Sequence, residues 1–557
     1  MSLRSDLIRA LAEARDRAIA DGDLAIAPAT ELPAVGIERP ANPDHGDWAS
    51  NIAMQLAPTA RAAPMRIAQA ILDHFEAPPA VADAQLAAPG FVNLRLDPRW
   101  VSGQVAPILE AGPDYGRATA EPPQRFNVEY VSANPTGPLH VGNARGAFVG
   151  DVLSRVLTAA GHEVTREYYF NDFGTQVVNL GLSVLARRHR TELPEDGYRG
   201  AYVDELAAEL PDDVAAAAEA SPDEAGMIAG RWASEEVRAG IEASLARLGV
   251  HFDVWKEEGS LHTEGWVGRA VDRLRASGHV YEEEGATWFR STDFGDDKDR
   301  VLIRSTGQPT YFNADAAYYL DKRERGSDRC IYVLGADHHG YVGRLRAIAA
   351  AFGDDPDRTV EVVIGQLVQL VRDGEPVRMS KRAGAMVTIE DLVDAVGPDA
   401  ARYALVRSSI DSTVDIDVGL WVRQTSDNPV FYVQYAHARL SSLQRNATSL
   451  GIERGDVQNA DLSLLTHERE GDLIRTLGEF PRVVRSAAQL REPHRVARYL
   501  EDVASAYHKF YDACRVLQPG DDQANPLTIA RLQLCEATRQ VLANGLGLLG
   551  VSAPEQM

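Results

Sequence analysis

Cysteine is nearly missing from this chain of 557 residues: only Cys330, Cys514 and Cys535 occur. They form no CxxC pair and no zinc-ligand spacing, which excludes a disulfide framework and a cysteine-built zinc site. All three read as buried thiols of a reducing compartment, because a core of this size needs no disulfides. Long apolar runs are missing too. No stretch approaches the roughly 18–20 uninterrupted apolar residues of a membrane span. The opening Met1-Ser2-Leu3-Arg4-Ser5-Asp6-Leu7-Ile8-Arg9 lacks the apolar centre of a signal peptide and reads as an amphipathic helix. A cytoplasmic location is expected. Internal repeats and low-complexity tracts are absent. Positive charge is in deficit: 57 Lys and Arg face 81 Asp and Glu, a net charge of −24 and a pI of about 5.0. That argues against indiscriminate binding to nucleic acid or anionic membranes. It leaves room for a local basic surface that meets specific phosphates.

What is present is a chain long enough for several domains, with the 45 % apolar content of folded proteins. Residues 1–112 read as a small α+β unit. The pattern predicts a helix from Leu3 to Ala20, a strand-like run near Ala34–Arg39, helices from Asn51 and from Pro64 to Phe75, and a closing strand from Pro89 to Leu96. Ala111 to Gly116 reads as a linker. From Arg125 the texture changes: a strand (Phe126–Val131), a Pro/Gly loop, a helix from about His140, and a strand at Glu163–Tyr169. That order opens a doubly wound, Rossmann-like α/β domain with a parallel sheet. Residues 178–290 are alanine-rich and acidic and read as a mostly helical insertion. The rhythm resumes with the apolar run Arg329–Gly335, a helix from Gly343 to Phe352 and a strand at Val360–Ile364. The α/β domain therefore spans 113–420, and residues 421–557 form an all-α C-terminal bundle.

Two segments carry chemistry. Pro138-Leu139-His140-Val141-Gly142-Asn143 places a histidine at a helix start, where unpaired N–H groups and a partial positive charge suit phosphates. His140 can donate to a phosphate oxygen, and Gly142 permits close approach of backbone or a base. Val377-Arg378-Met379-Ser380-Lys381-Arg382-Ala383-Gly384 is a short basic stretch. A lysine there could neutralise charge on a triphosphate as its α-phosphorus is attacked. Taken singly, the first also fits a helix-capping histidine and the second a solvated basic turn.

Together they resemble the HIGH and KMSKS signatures of the class I aminoacyl-tRNA synthetases. Within that class the chain resembles the arginyl-tRNA synthetases. The resemblance is carried by Val128 through His140, Asn171-Asp172-Phe173-Gly174, Gly335 through Tyr341, and Asn428 through Arg439. It implies an enzyme that activates arginine with ATP, forming arginyl-adenylate and diphosphate. The arginyl group then passes to the terminal ribose of tRNA(Arg), releasing AMP. ATP would arrive with Mg²⁺, with no metal or tightly held cofactor of the protein's own. The family also implies that activation needs bound tRNA, and it leans to monomers.

The resemblance further assigns residues. His140, Asn143 and Lys381 would be catalytic. ATP would be held by His140, Gly142, Asn143, His338, Arg378, Met379, Ser380 and Lys381. Glu129, Ser132, Asn134 and His140 would line the arginine site, with Tyr311, Asp315 and His338 opposite. In that picture Tyr311 and Asp315 hold the guanidinium, a planar fork that pairs best with carboxylates. Glu129, Ser132 and Asn134 hold the α-amino and carboxylate end. By residue type alone, Asp315 fits an exposed helix acid and Glu129 a strand-end salt bridge equally well. Phe91 and Asn93 match the positions of a D-loop-binding domain, stacking on and bonding a flipped-out base. They fit core and cap positions too. Tyr435, Arg439, Tyr507 and Met557 are candidates at the anticodon, although Tyr507 also fits a buried helix face.

Two departures stand out. Asn143 replaces the usual final histidine of the first signature, and Arg378 replaces the first lysine of the second. Asparagine keeps a hydrogen-bonding group at the helix start, and arginine keeps the charge, so activity is expected to survive. Some arginyl enzymes lack the signature lysine and carry a substitute just before the first signature. Thr136-Gly137-Pro138 offers none, in keeping with Lys381 as the working residue. Two alternatives stay open on sequence alone: another class I synthetase, and a catalytically idle paralogue that only binds tRNA.

Overall fold

The structure, a computed structural model, describes residues 3–28, 30–338, 340–372, 375–376, 387–517 and 525–557. It divides into two compact units. One comprises 1–113, 440–479 and 505–541; the other comprises 114–439, 480–504 and 542–557.

The second unit is built on five parallel strands. Their order across the sheet is Val360–Gly365, Arg329–Gly335, Arg125–Glu129, Glu163–Phe170, Val254–Glu257. Arg329–Gly335 is buried from Cys330 to Val333, as an apolar central strand requires. The chain runs from Arg125–Glu129 outward on one side, then crosses to Arg329–Gly335 on the other. The strand order thus reverses between these two neighbours. In open α/β sheets, ligands bind in the crevice at the carboxyl ends of such strands. Glu129 and Gly335 lie at those ends. The doubly wound architecture expected from sequence is present.

Helix Val141–Ala159 follows the first strand and is buried along most of its length. Helices Tyr311–Glu324 and Tyr341–Ala351 share a core with Cys330, Tyr332 and Val360. Three further strands form a smaller sheet: Val368–Arg372 pairs in parallel with Val414–Asp417 and antiparallel with Glu375–Pro376. The expected insertion is helical from Thr175 to Arg247. It then gives way to strand Val254–Glu257 and the antiparallel strands Val280–Glu283, Ala286–Phe289 and Arg300–Ile303. Val254-Trp255-Lys256-Glu257 is too short and polar to show as a buried strand in sequence. Beyond Trp421 the described chain is helical, as expected.

In the first unit, helix Leu3–Ala20 buries Leu7, Leu11, Ala14 and Ala18, one helical face. Strand Phe91–Leu96 lies between Trp48–Ser50 and Val81–Ala87. The run Ala34–Arg39, expected to be a strand, contributes only a single bridge, Glu38 to Ala49. Cys330, Cys514 and Cys535 are free and buried. Among the described residues no helix is long and apolar enough to cross a membrane.

Candidate active site at the ends of the parallel strands

The first strand ends at Glu129, and the chain then turns through two left-handed residues, Val131 (φ 68°) and Ser132 (φ 40°). That conformation is costly for a β-branched residue, and such strain gathers where a loop must be held in one shape. The Ser132 hydroxyl donates to Glu129 Oε1 at 3.1 Å and accepts from the Tyr169 backbone N–H at 3.1 Å. The Tyr168 hydroxyl donates to the Ala133 carbonyl at 2.9 Å. The Asn134 side-chain amide donates to Gln176 at 2.7 Å.

His140 is the N-cap of helix Val141–Ala159. Its Nδ1 accepts from the Gly142 N–H at 3.0 Å, and its own N–H donates to Asn143 Oδ1 at 3.1 Å. Asn143 therefore closes a capping box, a task its side-chain oxygen performs without a charge. Because Nδ1 accepts, the neutral ring carries its proton on Nε2 and is a donor there. Burial lowers the His140 pKa, which favours this neutral form. A Cβ on residue 142 would lie 2.7 Å from His140 Cε1. The close approach that Gly142 permits is thus that of the histidine ring itself.

This helix start is tied to the segment that follows the second signature. Val141 N–H donates to Val387 O at 2.9 Å, and Ile389 N–H donates to Leu139 O at 3.0 Å. One turn on, Arg145 is buried and donates to three carbonyls: Gln366 at 3.0 Å, Ser409 at 2.6 Å and Ser412 at 2.6 Å. Sequence reading missed Arg145, since an arginine in a helix's first turn ordinarily faces solvent. Arg378, Met379, Ser380 and Lys381 lie outside the described residues.

The arginine-site candidates divide into two groups. At one end Glu129 Oε2 is 2.5 Å from Lys322 Nζ, and both side chains are buried. The ammonium sits over the rings of Tyr318 (4.1 Å) and Tyr332 (4.0 Å). Behind it, Asn127 and Arg325 bind the buried Glu167. Burial pushes the Glu167 carboxyl up, but the charges of Lys322 and Arg325 outweigh it and hold it below its ordinary range. At the other end Asp315 lies one helical turn after Tyr311, on the same face. Burial and the charge of Glu258 raise Asp315 to about 8, against the opposing pull of Arg344. Glu258, 4 % exposed, is raised to about 7 by burial, with Tyr169 hydrogen-bonded to it. Among the described residues neither carboxyl forms an ion pair, and each raises the tendency of the other to stay protonated. Tyr311 is 58 % exposed at the rim, with its hydroxyl beside Gly174. His338 packs on Tyr341 with ring centroids 5.2 Å apart, and Arg344 covers the Tyr341 ring.

Glu258 and Lys322 were not legible beforehand. Glu258 gains meaning only once Val254–Glu257 is known to be a parallel strand, which puts Glu258 just past its carboxyl end. Lys322 lies in a helix whose sequence, Asp321-Lys322-Arg323-Glu324, reads as solvated.

The candidates for RNA contact meet different fates. Phe91 is half-buried at the start of its strand, while Asn93 is buried between Ala49 and Gln85. Tyr435 is exposed on helix Pro429–Ser449, stacked on Phe431, with Arg439 one turn on. From the same helix Gln434 donates to Asp399 (2.8 Å) and to Ser552 O (2.9 Å), and His437 Nδ1 lies 2.8 Å from Pro554 O. These bonds seat the chain end, where Met557 is exposed. Tyr507, expected at the anticodon surface, is fully buried with its ring against His508 and Tyr511, so it belongs to the core.

Three family models match the chain. They are an arginyl-tRNA synthetase N-terminal domain over residues 2–96, a catalytic domain of class I (R) tRNA synthetases over 104–196 and 229–411, and a DALR anticodon-binding domain over 433–557. A Frankia alni protein named arginine–tRNA ligase is 55 % identical, covering 99 % of this chain and 100 % of its own. A Kineococcus radiotolerans protein of the same name is 52 % identical at the same coverage. The solved structure of Thermus thermophilus arginyl-tRNA synthetase shares the fold over 100 % of both chains, with a TM-score of 0.78 at 24 % identity.

Proposed function

Since this chain belongs to the arginyl-tRNA synthetases of class I, and accordingly joins arginine to tRNA using ATP, we propose how its own residues perform that reaction. The guanidinium of arginine enters between Asp315 and Glu258, with Tyr311 at the rim. Glu129, Ser132 and Asn134 receive the α-amino and carboxylate end. The observation that carries this assignment is a pair of interacting carboxyls, half-buried Asp315 raised to about 8 and buried Glu258 raised to about 7, that a planar cation would return to their charged forms.

ATP binds at the start of helix Val141–Ala159, as its magnesium complex with the ion carried by the substrate. His140 Nε2–H faces the phosphates, with Gly142, Asn143 and His338 around the nucleotide. An arginine carboxylate oxygen attacks the α-phosphorus and diphosphate leaves. Lys381, with Arg378, Met379 and Ser380, balances the charge that gathers on the leaving phosphates. A terminal ribose hydroxyl of tRNA(Arg) then attacks the carbonyl of arginyl-adenylate, and AMP leaves.

Residues 1–112 would serve the D-loop through Phe91 and Asn93, and 421–557 the anticodon through Tyr435, Arg439 and Met557. Working in the cytoplasm as a monomer fits this role in translation. The test is ATP–diphosphate exchange with each amino acid, with and without tRNA(Arg). Exchange driven by glutamate and not by arginine would refute the assignment. Lys381→Ala should lower aminoacylation by several powers of ten while tRNA still binds; undiminished turnover would remove Lys381 from the mechanism.

A further inference from the structure

The catalytic family model leaves residues 197–228 unmatched. They form helix Ala201–Glu209, helix Asp212–Ala220 and the start of helix Ala225–Arg247. Val203, Leu206, Ala207 and Ala215 share a core with Leu180 and Val184 of helix Thr175–His189. Tyr202 packs on the edge of that core. The Tyr202 hydroxyl donates to the Thr136 carbonyl at 2.6 Å. A Cβ on residue 137 would be 3.4 Å from Tyr202 Cζ, so the ring also lies along the Gly137 backbone.

Thr136 stands in the middle of the loop that delivers His140. The loop's first half is held by Tyr168 at Ala133 and by Gln176 at Asn134. For residues 135–138, Tyr202 supplies the one hydrogen bond from outside the loop among the described residues. A glycine and two prolines flank that carbonyl, Pro135-Thr136-Gly137-Pro138. No ladder or helix fixes it, and Pro138 has no N–H of its own with which to do so.

We propose that Tyr202 is a positioning residue for ATP. The inserted helix braces the peptide between Thr136 and Gly137 and so sets where His140 meets the phosphates. The proposal rests on the assignment of His140 to the ATP site. Burial raises the Tyr202 hydroxyl to about 12, so it stays a donor at every working pH.

The experiment is tRNA-dependent ATP–diphosphate exchange, with KM for ATP, KM for arginine and kcat read separately. Tyr202→Phe keeps the ring and removes the hydroxyl. It should raise KM for ATP about three- to tenfold, the span one neutral hydrogen bond supplies. KM for arginine should move less than about twofold and Tm less than about 2 °C. Asp213→Asn, an exposed side chain on the next helix of the same insertion, Asp212–Ala220, should behave as wild type. The brace is refuted if Tyr202→Phe leaves KM for ATP within about twofold, or if both KM values rise together as Tm falls. His140→Ala separates the two assignments: full exchange in that variant would overturn the ATP site itself, whatever Tyr202 does.

Discussion

Lys322 Nζ lies 2.5 Å from Glu129 Oε2, and no part of the lysine side chain reaches solvent. The pair joins helix Tyr311–Glu324, which presents Tyr311 and Asp315, to the strand end at which the loop to His140 begins. Two site elements far apart in sequence thus share one buried charge pair.

Removing one partner of such a pair strands the other. Lys322→Met should therefore lower stability by about 3–5 kcal/mol, read as a fall in Tm. Adding Glu129→Gln to the same chain should recover most of that loss without restoring arginine binding. If the single variant is as stable as wild type, the pair contributes no more than an exposed one.

The two raised carboxyls predict a pH dependence. Without ligand, Asp315 and Glu258 hold protons up to about 8 and about 7. A guanidinium favours the ionised forms, so arginine binding should release protons. Affinity should therefore rise with pH across roughly 6 to 8.5 and then level off. Titration calorimetry at pH 7 in two buffers of different ionisation enthalpy measures the release directly; equal heats in both would contradict it. Asp315→Asn should weaken arginine binding by about 2–5 kcal/mol and flatten the pH curve.

Gly142→Ala tests the histidine's pose. The new methyl would meet the ring at 2.7 Å, which must swing away from the helix start. The lost cap should cost about 0.5–2 kcal/mol of stability, while exchange falls about a hundredfold through misplacement of the donor. Retained exchange would mean that the folded-back ring is not the working one.

Arg145→Lys keeps a positive charge but not the fork that reaches three carbonyls. Carbonyls left without a donor cost about 1–3 kcal/mol each, so a fall in Tm is expected. KM for ATP should rise as the helix start loses its fixed relation to residues 366 and 409–412. An unaltered KM for ATP would confine Arg145 to a packing role.

Much of the frame was legible. The apolar run Arg329–Gly335, the strand–loop–helix around His140 and the helical C-terminal stretch follow from periodicity that the tertiary structure does not override. What escaped depends on neighbours distant in sequence. Val254–Glu257 is a strand because it lies beside Glu163–Phe170, not because of its composition. Lys322 and Glu258 read as solvated charges until the sheet encloses them. Tyr507 erred the other way: an aromatic among charges, Tyr507-His508-Lys509, offered a recognition surface in sequence and proved to be core.

The two compact units follow an order that has a consequence for synthesis. Residues 1–113 belong with 440–479 and 505–541, while the catalytic unit is completed only by 480–504 and 542–557. Neither unit is whole until nearly the entire chain has left the ribosome. The nascent amino-terminal segment must hold its unpaired surface through the translation of more than three hundred codons. An N-terminal domain usually folds first and then waits; here it must wait in order to finish. Fragments cut at residue 113 or 439 should accordingly be poorer folders than the intact chain.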